Sequence, residues 1–299
     1  MSEMVRIAAH AKLNLLLRVL AREAGGHHQI ETAFVLLELA DEITVARTDT
    51  AGHVSLTVDG PDLGPTDQNL AVRAARAVLE ATGGKFGVDL VLTKHIPVRA
   101  GLGGGSSDGA AVLHAVNALA RGVLPRQELL LMAARLGADV AFFASGAPAA
   151  LAWGRGERLF RLAPCPPAAP ALIAVPPIAV ATPDAYRWWD EMHPAPSTRG
   201  PVVLDAEAFA SWGGIGRLGG NDFEVPVFSR HPELRTLYER LAQTGPLWVR
   251  LCGSGSAVAA VYRTVRDRDD AAATAAGKNV TMIATTTRSV TAPAPTPTT

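Results

Sequence analysis

The sequence predicts an α+β fold made of two domains, and three observations favour it. Segments that alternate apolar and polar residues are mixed with segments of helical periodicity in both halves of the 299-residue chain. The stretch APCPPAAP at 163–170 is the most proline-dense interior part and separates the halves. A chain of this length can bury a sizeable core in each half. We therefore expect domains at 1–162 and 163–288, followed by a tail at 289–299.

The first domain is expected to combine strands and helices. Strand-like patterns occupy 5–20, 41–48, 53–60 and 87–98, and helical patterns occupy 67–84, 107–122 and 125–139. Asp67 is available to cap the first helix, and glycines at 83 and 84 stop it. Pro125 stands near the start of the third helix, a position that favours proline.

The second domain repeats this mixture beyond the proline-rich stretch. Strands are expected at 171–177, 246–262 and 279–287, and helices at 231–245 and 265–277. The tail ends in TAPAPTPTT, a low-complexity composition that predicts disorder.

Composition limits the kinds of partner. The 28 basic residues balance the 28 acidic residues, so broad attraction to nucleic acid or anionic lipid is not expected. Two cysteines, Cys165 and Cys252, cannot form a disulfide framework and favour a reducing cytosol. No apolar run is long enough to span a membrane. We therefore expect a soluble cytoplasmic protein that binds small molecules, and the sequence leaves its oligomeric state open.

A cluster of glycines gives the strongest functional signal. Positions 101–107, within IPVRAGLGGGSSDGAA, hold four glycines and two serines between a predicted strand and a predicted helix. Backbone N–H groups in such a turn, together with a helix N-terminus, form a site for phosphate. The spacing fits neither a Walker loop, which needs a lysine, nor a dinucleotide fingerprint, which fails at Ser106 and Asp108. A flexible turn with a serine helix cap remains the structural alternative.

Other polar positions interrupt apolar segments. Lys12 and Asn14 are two residues apart on a strand and share a face, although a lysine at a strand end is often only solvated. Asp139 precedes the apolar run VAFF and could simply cap a helix. The GSGS segment at 253–256 suits a hairpin or a backbone wall beside a ligand. GGNDFE at 219–224 is assigned a structural role, and the histidines at 27 and 28 lack the partners of a zinc site.

In chain order, these segments resemble the GHMP small-molecule kinases. The likeness rests on AKLNL, a Gly-x-His loop, IPVRAGLGGGSSD, LGADV and GSGSAV, and it runs from about residue 6 to residue 288. It implies an N-terminal domain like domain 2 of ribosomal protein S5, a ferredoxin-like C-terminal domain and a site between them. AKLNL followed by ETAFVLLELADEITV points to the branch that phosphorylates the 2-hydroxyl of a cytidine-diphosphate-linked sugar alcohol in the non-mevalonate route to isoprenoid precursors.

The resemblance also implies roles for individual residues. Lys12 and Asp139 match the catalytic pair, with Asp139 taking the hydroxyl proton and Lys12 holding Asp139 ionised. The residues that would wrap the ATP phosphates are Pro97, Val98, Arg99, Ala100, Gly101, Leu102, Gly103, Gly104, Gly105, Ser106 and Ser107. The residues that would contact the substrate are Asn14, His28, Tyr186, Gly253 and Ser254, with Tyr186 stacking on cytosine. Mg²⁺ would accompany ATP, held mainly by phosphate oxygens and by Ser107.

The sequence departs from the family pattern near the substrate. His10 stands where the family has proline, Ala141 replaces another proline, and His27 replaces a tyrosine near the nucleotide base. These changes leave the phosphate loop intact and alter the cytidine end. Two alternatives stay open: a related kinase for another alcohol, and a catalytically silent nucleotide-binding regulator. The presence of both Lys12 and Asp139 argues against the second.

Overall fold

The structure is a computed structural model that describes residues 3–194, 204–291 and 295–298. Its strands form two sheets. The six strands of the first sheet are β1 (Met4–Arg22), β2 (His28–Thr48), β3 (Val54–Asp59), β4 (Gly87–Thr93), β5 (Ala149–Gly154) and β6 (Arg158–Arg161). The four strands of the second sheet are β7 (Pro170–Val175), β8 (Trp248–Leu251), β9 (Val258–Val261) and β10 (Thr281–Thr286).

The long hairpin of β1 and β2 organises the first sheet. β2 pairs antiparallel with β1 along one edge. Along its other edge β2 pairs with β4 and with β5, and β3 adds to β4 in parallel. Because β1 runs the length of the hairpin, one strand carries both Lys12 and Asn14 through the middle of the molecule.

Four helices cover this sheet: α1 (Leu70–Ala81), α2 (Gly104–Leu119), α3 (Arg126–Leu136) and α4 (Ala138–Ala144). Their apolar faces bury Val78 and Val112 against Val5, Ile43 and Leu90 of the strands. Burial of this kind contributes roughly 1.5–3 kcal/mol for each large side chain. The packing fixes the N-terminus of α2 at the edge of the core, where the glycine cluster enters.

The second sheet has the strand order β10-β7-β9-β8 and is antiparallel throughout. Its helices are α5 (Thr182–Met192), α6 (Trp212–Arg217), α7 (Glu224–Arg230), α8 (Pro232–Gln243) and α9 (Val265–Ala275). Strand and helix alternate here as β7, helices, β8, β9, α9 and β10, the order of a ferredoxin-like domain. The predicted α+β fold class is therefore confirmed.

β1 is the surface on which the two sheets meet. Leu13 and Leu15 of β1 share one buried cluster with Ile173 of β7 and Ala259 of β9. Leu17 forms an isolated bridge with Asn221, a residue between α6 and α7. The middle of β1 consequently lies between the two halves, as the position of a shared site requires.

Several local predictions need correction. Asn69, not Asp67, caps α1, because its side chain accepts a hydrogen bond from the Ala71 N–H at 2.9 Å. Asp67 lies in a one-turn 3₁₀ helix just before it. The sequence reading also missed the first half of β2, both short strands β5 and β6, and helix α5. The residues of β2 from 33 to 37 are buried on both faces, so they lack the alternation that reveals a strand.

The chain changes from the first sheet to the second between Arg161 and Pro170, but the exact domain boundaries stay a prediction. The disorder expected of the tail also stays a prediction. Within that tail, Thr298 exchanges two backbone hydrogen bonds with Met4, of 2.8 and 2.9 Å. None of the helices in the described part of the chain is both long and apolar enough to cross a membrane.

Candidate active site

Lys12 and Asp139, which are far apart in sequence, lie together in the structure. The Lys12 Nζ is 3.6 Å from Asp139 Oδ2 and donates a 2.6 Å hydrogen bond to Asn14 Oδ1. The Lys12 side chain is 5% exposed, whereas that of Asp139 is 33% exposed. Asp139 lies in the first turn of α4, where a carboxylate is favoured by the helix dipole. The arrangement presents a buried ammonium beside a carboxylate that solvent or a ligand can reach.

Asn14 is held in place by its own partners. Its Nδ2 donates to Thr32 Oγ1 at 2.9 Å, and the Thr32 hydroxyl donates to the Leu16 carbonyl at 2.6 Å. Since the Asn14 amide nitrogen is engaged, its oxygen faces Lys12 as an acceptor. Lys12 and Asn14 share a face of β1, as their period-two spacing predicts, and their side chains are hydrogen-bonded to each other.

The glycine cluster forms the loop that opens α2. Gly103 is the N-cap residue, with a left-handed φ of 74° and no side-chain cap. The serine-capped turn considered as an alternative is therefore wrong. A Cβ on Gly103 would lie 2.9 Å from the Phe143 ring and 3.1 Å from Lys12 Cγ, which explains the glycine. The Leu102 carbonyl accepts a 3.0 Å hydrogen bond from the Lys12 N–H, so the loop is attached to β1 beside the catalytic candidate.

A cavity of about 360 Å³ lies against this loop. Every residue from 97 to 106 lines it, and a Cβ on Gly105 would meet nothing within 4 Å. The first N–H groups of α2 have no partner within the helix, and the positive end of its dipole faces the same side. The open backbone and unpaired amides suit a phosphate group. Ser107 is the one member of the predicted set that does not line this cavity. Its side chain is buried, and it lines a separate cavity with His10 and His114.

The GSGS segment forms a hairpin loop between β8 and β9 and also reaches the site. A Cβ on Gly253 would lie 3.5 Å from both Lys12 Nζ and Asn14 Oδ1. The Ser254 hydroxyl is hydrogen-bonded to that of Thr182 at 2.9 Å. The hairpin predicted as the structural alternative is confirmed. That the loop forms a wall beside a ligand stays a prediction.

Asn221 anchors this loop, a role that the sequence did not reveal. Its Nδ2 donates to the carbonyls of Leu251 at 2.9 Å and Gly253 at 2.6 Å, and the side chain is buried. The neighbouring Asp222 accepts a 2.7 Å hydrogen bond from the Val19 N–H of β1. GGNDFE is structural, as predicted, but what it fixes is the wall of the site.

The two loops touch backbone to backbone, which predicts a strong effect at one glycine. A Cβ on Gly101 would lie 1.8 Å from the Cys252 carbonyl oxygen, and Gly101 has a φ of 79°. We expect Gly101→Ala to lower the free energy of unfolding by about 1–3 kcal/mol, the usual cost of overpacking, as measured by urea denaturation.

Gly105→Ala is the matched control for this prediction. Gly105 lies within α2, where a methyl group has open space and alanine is favoured over glycine. Its free energy of unfolding should stay unchanged or rise. If Gly101→Ala and Gly105→Ala lose the same free energy of unfolding, the contact between the two loops does not explain why position 101 requires glycine.

A second cavity, of about 1430 Å³, is lined by His28 and Tyr186 of the predicted substrate residues and by Gly137 and Ala138, which precede Asp139. The other predicted substrate residues, Asn14, Gly253 and Ser254, do not line it. The rings of His28 and Tyr186 stack there at 4.4 Å with an interplanar angle of 17°. Burial raises the pKa of the Tyr186 phenol to about 12, with a further contribution from the Asp139 carboxylate, so the hydroxyl keeps its proton. His27 is exposed at the rim of the same cavity.

A buried ionic group lies beneath the phosphate loop, and the sequence reading missed it. Lys94 Nζ donates to both Asp41 Oδ2 and Asp108 Oδ2, the second at 2.8 Å. The Asp41 carboxylate also accepts the N–H groups of His95 and Ile96, at 2.6 and 2.8 Å. Burial raises the pKa of Asp108 to about 7, an effect that the Lys94 ammonium opposes and the Asp41 carboxylate reinforces. Lys94 follows a strand and Asp108 follows the serines, but no local pattern connects them to Asp41.

Comparison with known proteins assigns the family. Models of the GHMP kinases N terminal domain and the GHMP kinases C terminal region match residues 69–147 and 205–279. A 4-diphosphocytidyl-2-C-methyl-D-erythritol kinase of Solibacter usitatus is 40% identical over 267 residues, covering 88% of this chain and 82% of the relative. One of Pelotomaculum thermopropionicum is 38% identical, covering 84% of this chain and 86% of the relative.

A solved structure supports the same assignment at the level of the fold. The crystal structure of a 4-(cytidine 5'-diphospho)-2C-methyl-D-erythritol kinase superposes with a TM-score of 0.78 at 36% identity. The match covers 94% of this chain and 98% of that one. Three findings point to the same family. They are the two-domain fold, the glycine loop at the start of α2, and the sequence identity over most of the chain. The chain therefore belongs to the GHMP kinase family.

Proposed function

We propose that this protein transfers the terminal phosphoryl group of ATP to the 2-hydroxyl of 4-diphosphocytidyl-2-C-methyl-D-erythritol, a step toward isoprenoid precursors. The observation that carries the proposal is the position of Lys12 and Asp139. Their side chains are 3.6 Å apart. Lys12 lies beside Gly103, which lines the phosphate-type cavity, and Asp139 follows Gly137 and Ala138, which line the much larger cavity. The names of the relatives at 38% and 40% identity supply the substrate.

The chemistry follows from these two side chains. The substrate hydroxyl oxygen attacks the γ-phosphorus, the bond to the β,γ-bridging oxygen breaks, and ADP leaves. The hydroxyl proton passes to the Asp139 carboxylate, whose 33% exposed side chain a ligand can reach. The Lys12 ammonium offsets the negative charge of the phosphoryl group in flight. An aspartate is a weak base, so most of the rate enhancement comes from position and electrostatics.

ATP would lie along the loop at 97–106. The unpaired amides of α2 would hold the phosphates, and the smaller cavity would take the rest of the nucleotide. A Mg²⁺ ion that accompanies ATP would neutralise part of the charge of its phosphates. Among the described residues, no group of three or more His, Cys, Asp and Glu side chains could hold a metal ion. Of the two serine hydroxyls, that of Ser106 lines the nucleotide cavity and would be the one to reach the ion.

The larger cavity would hold the cytidine diphosphate end of the substrate. Arg22, Arg155 and Arg187 line it and can pair with the diphosphate. His28 and Tyr186 offer flat rings for the base. The reducing cytoplasmic location predicted from the two cysteines is part of this proposal.

The decisive experiment measures ADP release by the purified protein with ATP, Mg²⁺ and the cytidine substrate. Homoserine and mevalonate serve as alternative acceptors. Turnover of the cytidine substrate well above both supports the proposal. Turnover only with another alcohol would identify a related kinase, and ATP binding without turnover of any acceptor would favour a silent regulator.

A further inference from the structure

A further cavity, of about 660 Å³, lies apart from the two cavities of the candidate active site. None of the residues that line it lines either of the other two. Its walls come from the first part of β1, the first half of α2, the end of α4 and the chain after β10. Ser107 of α2 lines this cavity, whereas Ser106 and Asp108 line the nucleotide cavity. The helix therefore contributes different residues to the two cavities.

The side chains that give this basic cavity its charge are arginines. Arg6, Arg126 and Arg288 line it, and no described aspartate or glutamate does. Of the three guanidinium groups, that of Arg288 alone is paired with a carboxylate among the described residues, where its Nη1 lies 2.6 Å from Glu38 Oε2. Two positive charges consequently remain without a partner charge beside one cavity. Such charges attract an anion, and the attraction is stronger where water is partly excluded.

Two histidines, His10 and His114, line the same cavity but add no charge at neutral pH. Burial lowers the pKa of His10, and the Arg288 guanidinium lowers it further, against the opposing Glu38 carboxylate. Burial also lowers the pKa of His114, with a smaller contribution from Arg126. The arginines therefore supply the positive charge of the cavity, and both histidine rings lie within their field.

Two buried nitrogen atoms in the side chains that line the cavity lack a hydrogen-bond partner. They are His10 Nδ1 and Arg288 Nε. Buried polar atoms are normally paired, and an unpaired one costs about 1–3 kcal/mol. His10 is also a position at which the sequence departs from the family pattern, which has proline there. A proline side chain has no polar atom, so this part of the wall is a feature of this chain.

The remaining wall of the cavity is mainly apolar. Its larger contributions come from Ile7, Leu36, Ala110, Ala111 and Phe143. A ligand that fills the cavity therefore needs a hydrocarbon part beside its charged group, and each buried CH₂ contributes about 0.8 kcal/mol. The volume lies within the usual range of small-molecule sites, roughly 300–1,000 Å³.

We propose that this cavity binds a further small molecule, a phosphate monoester with a short hydrocarbon chain. Two unpaired guanidinium charges match the charge of about −1.5 to −2 that a phosphate monoester carries at pH 7, whereas a carboxylate carries only one. Arginine also binds phosphate through two parallel hydrogen bonds. The apolar wall would take the hydrocarbon chain. This site is independent of the proposed function, because it holds neither ATP nor the alcohol that is phosphorylated.

Calorimetry with hexyl phosphate as the probe tests the site. The full-length protein is first saturated with ADP and Mg²⁺, so that the nucleotide cavity is occupied. We expect hexyl phosphate still to bind, at one site per chain and with a Kd below about 1 mM. Hexanoate, hexanol and inorganic phosphate should each bind at least about 5-fold more weakly, because each lacks part of the charge or the chain. Complete displacement of hexyl phosphate by ADP would place the probe at the glycine loop and overturn the proposal.

Arg6→Gln and Arg126→Gln remove the two unpaired charges one at a time. Both side chains are exposed, so each variant should fold normally, which urea denaturation checks. Each should raise the Kd for hexyl phosphate about 5- to 10-fold, the effect of one charged hydrogen bond. Arg155→Gln is the matched control, because it removes an exposed arginine that lines the larger cavity instead. Its Kd for hexyl phosphate should stay within twofold of the wild-type value.

Two results with these proteins would overturn the proposal. If Arg155→Gln weakens hexyl phosphate binding while Arg6→Gln and Arg126→Gln do not, the probe occupies the larger cavity. If hexanoate binds as tightly as hexyl phosphate, the cavity does not select a phosphate group. None of these measurements involves turnover, so their outcome does not depend on whether the protein phosphorylates the cytidine substrate.

Discussion

Replacing Asp139 by asparagine is expected to lower kcat by a factor of about 10²–10⁴, the usual contribution of a general base. Asparagine preserves the shape of the side chain but cannot accept the hydroxyl proton. The residue lies 3.6 Å from Lys12 and belongs to α4, whereas the nucleotide cavity is lined by the loop at 97–106. ATP binding, measured by calorimetry, should therefore change little.

The stability of this variant should also change little. The Asp139 side chain is one-third exposed, and ion pairs with an exposed partner contribute only about 0–1 kcal/mol. Glu128→Gln is the matched control, because Glu128 is likewise an acidic residue in the first turn of a helix, α3, and is exposed. If the kcat of Asp139→Asn is within threefold of the wild-type value, Asp139 is not the proton acceptor.

The remaining activity of that variant is informative as well. If Lys12, the loop amides and the bound metal provide most of the stabilisation, turnover should stay well above the uncatalysed rate. Lys12 is nearly buried, and Asn14 holds its ammonium from one side. This geometry does not depend on Asp139, so the electrostatic part of catalysis should survive its neutralisation.

Local signals in the sequence predicted the reacting groups but not what holds them. Lys12 and Asn14 were visible because a polar pair two residues apart interrupts an apolar strand. The loop at 101–107 was visible because glycines and serines concentrate before a helix. Each of these features lies within fewer than ten consecutive residues. The resemblance to the family connected them to Asp139.

The supporting contacts were hidden because they join distant parts of the chain. Asn221 binds the Gly253 carbonyl, and Asp190 binds His28 across 162 positions. Each of these side chains looks like an ordinary polar residue of a turn or a helix in its own segment. Their roles depend on how the two sheets meet along β1, which no hydrophobic period specifies. The stacking of Tyr186 on His28 belongs to the same class of contact.

Lys94→Met is expected to lower the free energy of unfolding by about 3–5 kcal/mol, the typical cost of breaking a buried ion pair from one side. The side chains of Lys94, Asp41 and Asp108 are 4%, 0% and 3% exposed, so water cannot replace the ammonium. Urea denaturation at pH 8 measures the loss. Lys85→Met makes the same change at an exposed lysine and should cost far less. If Lys94→Met lowers the free energy of unfolding by less than about 1 kcal/mol, Lys94 is not a stabilising buried partner of the two carboxylates.

The pH dependence identifies the carboxylate responsible. Burial raises the pKa of Asp108 from 3.8 to about 7, so between these values the folded protein holds a proton that the unfolded chain has released. This contribution to stability is present at low pH and is lost as the pH rises toward 7. In Lys94→Met the pKa of Asp108 rises further, because the opposing ammonium is gone. The loss of stability with rising pH should therefore continue to higher pH.

Asp108→Asn should remove this part of the pH dependence, because the amide does not titrate. At pH 8 the wild-type group holds two carboxylates against one ammonium, whereas Asp108→Asn leaves Lys94 paired with Asp41 alone. The double variant Lys94→Met/Asp108→Asn should then be more stable than Lys94→Met, since only one buried carboxylate remains, and two backbone N–H groups bind it. If the double variant is no more stable than Lys94→Met, the loss of stability comes from the missing ammonium. It then does not come from repulsion between the two buried carboxylates that the ammonium had offset.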